Sequence, residues 1–491
     1  MPPIHIVILQ PQGYVHSLGF VDHARYFRYQ LRRLGAEVSL AKNRLREDAV
    51  NLVFGAHLGF PSELLERHVC VFVNLEQMGE GGATLQPPYL ELLRDNMVVD
   101  YARANALVYA RDPEAVPVIH FGHAPYLQAV AQQAPALQER TIDLLFFGSI
   151  NARRKAFIER VMATGVKVQV VDKPLYGPER DALVCNARAV LNCHFYESAR
   201  FEQARAFHSM SLGTPVISER TNQTRAPEVY GDTVFWLDES MPMERFFGDY
   251  FGGPQYFSDA ADKLKRFAQD DPQPAYAQVL HAIESHWHTR RAAHTPVPLV
   301  PRRINLGSGK DYMLGWLNLD ILERAQPDLV LDLAQPLTLP LVTTSLLGTP
   351  LCLTEGEVEM VYANNVLENV PDLPALMANI LRLLKPGGQL LVEVPYEHAL
   401  TAWQDPTHVR ALNERSWVYY TDWFWYLGWM DYRFEMGAFI WLDESLKPCD
   451  KPQAAFMRVG LRKIETTPAE RTHARAMRPD FGGLEEDWPL A

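Results

Sequence analysis

Arg303-Ile304-Asn305-Leu306-Gly307-Ser308-Gly309 is a short apolar run that breaks into a glycine-rich turn. Such a run reads as a buried parallel strand, and glycine after it lets the backbone approach a ligand closely. Leu317-Asn318-Leu319-Asp320 reads as a second strand with an acid at its end. Leu329-Val330-Leu331-Asp332 repeats that pattern as a third. A strand over Val361–Asn364, a helix over Leu373–Leu384, the tract Lys385-Pro386-Gly387-Gly388 and a strand over Leu390–Val394 complete the series. Strands alternating with crossovers predict an α/β fold with a doubly wound sheet.

Outward from this stretch, the chain reads as two more units of the same kind. His294 to Pro301 carries three prolines and marks a linker over 294–302, which sets the third domain at 303–491. A first lobe is expected over 1–138, with strands at Ile4–Leu9, Glu37–Leu40, Val50–Phe54, Val69–Val73 and Ala106–Tyr109, and a helix from Asp22 to Leu34 stopped by Gly35. A second lobe, 139–293, has strands at Asp143–Phe147, Val166–Val171, Ala189–Asn192 and Val216–Ser218. Its helices are expected at Arg153–Thr164, Phe201–Leu212 and, closing the lobe, Pro274–Arg291.

Composition narrows the function classes. With 491 residues, about three domains are expected. At 47% hydrophobic and 22% charged residues the chain is globular rather than disordered. Its net charge of -12 argues against nucleic acid or an anionic membrane as the main partner. No apolar run is long enough for a membrane-spanning helix, and the start lacks a secretory pattern. Cys70, Cys185, Cys193, Cys352 and Cys449 stand singly, which suits a reducing cytoplasm and gives no metal framework.

The ordered set from Gly307 to Val394 resembles the class I S-adenosylmethionine (SAM) dependent methyltransferases. A dinucleotide-binding unit is the weaker alternative, because Tyr312 stands where its third glycine would be. The resemblance implies SAM as cofactor, with the Gly307-Ser308-Gly309 turn around its methionine end, Asp320 on the ribose, Asp332 toward the adenine and Asn364 facing the donor. Asn305 is a further cofactor candidate, at a position where an acid is common. Glu368-Asn369 replaces the commoner Glu-His, and the segment 340–357 is unusually long. Gln404-Asp405-Pro406-Thr407-His408-Val409-Arg410 resembles a loop of methyltransferases from polysaccharide gene clusters. His408 is the candidate base for an acceptor hydroxyl, with Asp405 to orient it; the alternative is a structural loop histidine. Ten aromatics over 416–434 read as core, with an acceptor platform as the second reading.

Phe201-Glu202-Gln203-Ala204-Arg205-Ala206-Phe207-His208-Ser209-Met210-Ser211-Leu212-Gly213-Thr214-Pro215 resembles the donor-lobe signature of GT-B glycosyltransferases, notably the spore-coat-like group. The resemblance implies a nucleotide sugar held by Glu202, Arg205, His208, Gly213 and Thr214. Gly148, Ser149, Arg153 and Lys155 would hold its diphosphate without metal. His208 departs from the family's glutamate. His57 and Glu76, at strand ends of the first lobe, are its catalytic candidates. The expectation is an α/β chain of two Rossmann-like GT-B lobes followed by a methyltransferase domain. It would be a bifunctional cytoplasmic enzyme transferring a sugar and a methyl group to a glycan or glycoconjugate. The rival is a methyltransferase whose inactive GT-B-like half only binds the glycan, peptide or protein acceptor. Oligomerisation is left open.

Overall fold

The computed structural model describes residues 1–291 and 297–481. The chain divides into two compact units, Met1–His294 and Thr295–Ala491. Residues 294–296 of the expected linker lie outside the described residues.

The first unit is built on two five-stranded parallel sheets. One contains β1 (Ile4–Ile8), β2 (Val38–Lys42), β3 (Val50–Phe54), β4 (Val69–Val73) and β5 (Val98–Val99), in the order β2-β1-β3-β4-β5. Every residue of β1, β3 and β4 is buried. Strands covered on both faces have no reason to alternate, so they read as unbroken apolar runs. The other contains β6 (Ile142–Phe147), β7 (Val168–Val171), β8 (Ala187–Asn192), β9 (Val216–Glu219) and β10 (Phe235–Leu237), ordered β10-β9-β8-β6-β7.

The strand expected at Ala106–Tyr109 is instead a helix, Arg103–Tyr109. A run of four apolar residues fits either state. Here Ala106 and Tyr109, one helical turn apart, are buried, while Leu107 is 68% exposed. Asn105 turns inward to donate to Asp100 (2.8 Å).

One apolar cluster runs through both lobes of this unit. Phe207, on the helix Gln203–Ser211, packs at 5.2 Å from both Tyr26 and Phe121. The closing helix, Gln273–Arg291, buries Tyr276, Val279, Ile283 and Trp287, and reaches the first sheet through His286 Nε2, 3.2 Å from the Cys70 carbonyl.

The second unit has a seven-stranded sheet formed by β11 (Arg303–Leu306), β12 (Leu317–Asp320), β13 (Leu329–Val330), β16 (Val358–Asn364), β17 (Leu384–Pro395), β18 (Tyr432–Leu442) and β19 (Phe456–Glu465). Its order is β13-β12-β11-β16-β17-β19-β18. The first five strands are parallel; β19 and β18 run antiparallel. The long segment before β16 is a hairpin of β14 (Leu341–Thr344) and β15 (Pro350–Leu353). Residues 307–316, which join β11 to β12, form turns rather than a helix. At the outer strand, the β18–β19 register shifts between Met436 and Phe439. The aromatic segment divides: Trp417, Tyr420, Phe424 and Phe434 are buried, whereas Tyr419, Trp423 and Tyr426 are exposed and in mutual ring contact through Tyr419.

Phe207→Ala removes a fully buried ring from the cluster of the first unit. It is expected to cost about 3–5 kcal/mol. Urea unfolding should show the loss in the transition of the first unit alone.

Candidate functional site

In the second unit, strand order reverses at β11, which has β12 on one side and β16 on the other. Ligands of such sheets sit outside the carboxyl ends of the strands at that point. Gly307 (φ +63°) and Gly309 (φ +47°) occupy it in the left-handed region. A Cβ on Gly307 would lie 2.4 Å from Val366 Cγ2, so the turn packs directly on the chain leaving β16. Gly309 N–H donates to Asp320 Oδ2 and Leu322 N–H to Oδ1, both at 2.8 Å. Each Asp320 oxygen keeps acceptor capacity. The Ser308 hydroxyl is buried and has no hydrogen-bond partner among the described residues. A backbone cradle, a carboxylate with spare lone pairs and an unsatisfied hydroxyl fit the methionine and ribose parts of SAM.

The other residues expected here divide. Asn305 spends its amide on the Asp311 carbonyl (2.9 Å) and Asn318 Oδ1 (3.0 Å), so it shapes the turn from behind. Asp332 is exposed; it accepts from Ala334 N–H (2.9 Å) and Gln335 Nε2 (3.2 Å). Asn364 is half-buried at the end of β16. Sequence reasoning passed over Asn318. Its amide accepts from Met313 N–H (2.8 Å) and donates to the Met313 and Trp316 carbonyls (3.0 and 2.9 Å) and to Asp328 (3.0 Å). The available signal was a polar amide inside an apolar strand.

His408 is not oriented by Asp405. Its Nδ1 lies 2.9 Å from the Ala402 carbonyl, while Asp405 accepts from the Thr407 amide and hydroxyl (2.8 and 2.7 Å). The carboxyl nearest the ring is Glu368, whose Oε1 is 3.9 Å from His408 Nε2. Glu368 is 2% exposed, and neither of its oxygens has a hydrogen-bond partner in another of the described residues. Burial pushes its carboxyl up to about 7. The sequence signal was the unusual Glu368-Asn369 pair, noted only as a departure.

In the first unit, the second sheet reverses order at β6, between β7 and β8. Gly148 (φ +120°) and Ser149 follow β6. A Cβ on Gly148 would approach Arg205 Nη2 to 3.0 Å. Glu202 is held between Arg154 and Arg205. Burial pushes the Glu202 carboxyl up, but Arg205 and Arg154 more than reverse this and hold it below its ordinary range. Two guanidiniums on one carboxylate leave net positive charge beside the Gly148 turn. Gly148 and Ser149 line a pocket with Lys173, Tyr176, Arg180 and His16. The sequence reading missed Lys173 and Tyr176, although both lie on the loop after β7.

Arg153 is bidentate on Glu219 (2.6 and 3.1 Å). Lys155 is exposed and 3.9 Å from Glu159. His208 is buried, with Nε2 2.8 Å from Asp181 Oδ1, in a network with Arg180 and Asp22. Thr214 is fully buried; it accepts from Arg140 Nη1 and donates to the Val184 carbonyl, both at 2.7 Å. Arg140 also donates to the Gly213 carbonyl (3.1 Å). In the first lobe, His57 Nε2 and Glu76 Oε1 are 3.5 Å apart at neighbouring strand ends. Among the described residues no group of three or more His, Cys, Asp or Glu is arranged to hold a metal ion.

Residues 255–429 match a family model described as a methyltransferase domain. That match covers about a third of the chain, which is similar to a methyltransferase domain over those residues. The match starts ahead of the boundary at His294 and ends ahead of β18. An uncharacterized protein of Acanthamoeba polyphaga mimivirus is 25% identical over 177 residues, covering 32% of this chain and 51% of that protein. The match thus spans about half the length of that curated relative. Among solved structures, the avilamycin A biosynthesis glycosyltransferase AviGT4 aligns with 59% of this chain and 99% of its own, at 14% identity and a TM-score of 0.39. A SAM-dependent methyltransferase from Mesorhizobium loti aligns with 36% of this chain and 97% of its own, at 17% identity and a TM-score of 0.22. Functional assignment therefore rests on the family match and on this chain's own residues.

Two substitutions test the geometry. Gly307→Ala meets both Val366 and a left-handed backbone, and is expected to cost about 1–3 kcal/mol; adding Val366→Ala should restore only the steric part, read from urea midpoints. Glu368→Gln tests the raised carboxyl. Below its ordinary value of 4.5, folded and unfolded chains both hold the proton and nothing is lost. Between 4.5 and about 7 the unfolded carboxyl ionises while the buried one still holds its proton, so stability falls across that window and levels off above it. The variant should therefore gain stability across that window, reaching about 3 kcal/mol above it at about 1.4 kcal/mol per pH unit.

Proposed function

We propose that the second unit uses SAM to methylate a hydroxyl of a glycan or glycoconjugate. The observation that carries this is the Gly307–Gly309 cradle closing on Asp320 at the sheet's switch point, and the similarity of residues 255–429 to a methyltransferase domain supports it. SAM would supply the electrophilic methyl group. Gly307, Ser308, Gly309 and Asp320 would hold it, with Asp332 and Asn364 at the edges. The exposed Tyr419, Trp423 and Tyr426 rings offer faces on which the C–H edges of a sugar stack.

The first unit, divided into lobes at 1–138 and 139–293, would transfer a sugar from a nucleotide donor. The Gly148-Ser149 turn, the positive cluster beside it and Lys173 suit a diphosphate leaving group without metal. His57 and Glu76 would serve the acceptor. Both reactions belong to a cytoplasmic enzyme in this reading, and joining them raises the concentration of the first product at the second site.

One observation favours a second reading, in which the first unit only binds the acceptor. His208 is sealed in an ion network, Glu202 is neutralised by arginines, and Arg153 is occupied by Glu219. None of these groups is free for a ribose or diphosphate without rearrangement.

Calorimetry on the whole chain separates the readings. SAM is expected to bind, and Asp320→Ala to weaken it at least tenfold, about 1.4 kcal/mol. A panel of UDP-, GDP- and dTDP-sugars should include a ligand that Lys173→Ala weakens while SAM binding is unchanged. SAM binding with no nucleotide-sugar binding selects the second reading; no SAM binding sinks the methyl-transfer reading.

A further inference from the structure

We propose that Glu368 and His408 form one proton-accepting pair, which enters the reaction as carboxylate and neutral imidazole, and that the proton a substrate hydroxyl sheds on methylation is then shared between them; the inference rests on the methyl-transfer reading above.

Glu368 buries an unsatisfied carboxyl. A carboxyl that is 2% exposed and, among the described residues, meets no donor beyond its own backbone amide is unfavourable when ionised. It either keeps its proton or finds a cation, and the imidazole 3.9 Å away is the group placed to provide one. His408 is fixed in a way that matters for direction. A carbonyl only accepts, so the 2.9 Å contact of Nδ1 with the Ala402 carbonyl puts the hydrogen on Nδ1. In the neutral ring, Nε2 then carries the lone pair, and Nε2 is the nitrogen that faces Glu368.

The pair is held in register by the loop itself. Val409 N–H donates to the Glu368 carbonyl (2.9 Å), and the Thr407 hydroxyl to Asn369 Oδ1 (2.8 Å). Glu368 follows Val366, the residue against which Gly307 packs, so the carboxyl hangs two residues from the wall of the donor turn. Of the other charges nearby, Asp405 opposes ionisation of Glu368, and Arg410 is spent on the Val370 and Pro371 carbonyls (2.5 and 2.7 Å).

The step balances without a further reagent. A lone pair of the acceptor oxygen forms the new C–O bond, the S–C electron pair stays on sulfur, and the hydroxyl proton passes to Nε2. Glu368 then faces an imidazolium, or takes the proton and leaves the ring neutral. Both states carry no net charge, which is what a water-poor site favours. Burial, opposed by His408, pushes the carboxyl up to about 7, so the carboxylate present above that value gains most from the arriving proton. His408 is the catalytic residue in this scheme; Glu368 is a positioning residue that acts through it.

The test needs no acceptor. Nitrogen-15 NMR of the full chain should show His408 as the Nδ1–H tautomer, and Glu368→Gln should move the midpoint of its ring titration by about one pH unit, as expected for coupled sites. Reciprocally, His408→Gln should move the Glu368 carboxyl titration, followed by isotope-edited infrared. An Nε2–H tautomer, or either curve unmoved in a variant with unchanged circular dichroism, overturns the pair. If Glu368→Gln does not fold, the His408→Gln arm decides alone. SAM binding measured on the same wild-type sample scores the underlying reading separately: its failure would remove methyl transfer while the titrations still judge the shared proton.

Discussion

A parallel pair of strands joined without a helix has to satisfy the joining backbone by other means, and here Asn318 does so. Its side-chain amide bonds to the chain at Met313 and Trp316, meets the Asn305 amide, and anchors on Asp328. It is fully buried, so each bond left unmade would cost about 1–3 kcal/mol. The network fixes residues 307–316 in one path. That path aims the Gly309 amide at Asp320 and lays Gly307 against Val366. The neighbouring Glu368–His408 pair is held separately, by the Val409 amide on the Glu368 carbonyl and the Ala402 carbonyl on His408.

The first unit solves a similar problem with charge. Arg154, Glu202 and Arg205 occupy one buried cluster, and Asp22, Arg180, Asp181 and His208 another. Buried ions are weak sources of stability, since desolvation offsets attraction. Their geometry is nevertheless demanding, because every arginine must keep an acceptor in place. The clusters hold the Gly148 turn and the pocket beside it in a defined shape, at the cost of occupying the polar groups that a bound nucleotide would use.

Much of this was legible in the sequence, and the exceptions have physical causes. Runs such as Val50–Phe54 and Val69–Val73 announce strands because both faces are buried. The glycine turn and the acid of Asp320 are legible because backbone conformation and strand ends constrain residue type. Ala106–Tyr109 misled because four apolar residues carry no period. Thr214, His208 and Arg153 stand in local stretches that show residue type but not their partners Arg140, Asp181 and Glu219, which lie 74, 27 and 66 positions away in the chain. Glu368 was overlooked for the opposite reason: only the fold reveals that a carboxylate has no partner.

The shifted register on β18 has a consequence of its own. This strand is the outermost of its sheet, and an unprotected outer strand offers a template on which further chains can add. Between Met436 and Phe439 the ladder is interrupted, at the point where the strand is exposed, and Gly437 lets it lie so close to Gly460 that a Cβ would sit 3.2 Å from that carbonyl. A strand bent in this way presents no long straight run of amides to a newcomer. The irregularity thus works as a guard against edge-to-edge aggregation, built into the backbone where a charged side chain would otherwise have to serve.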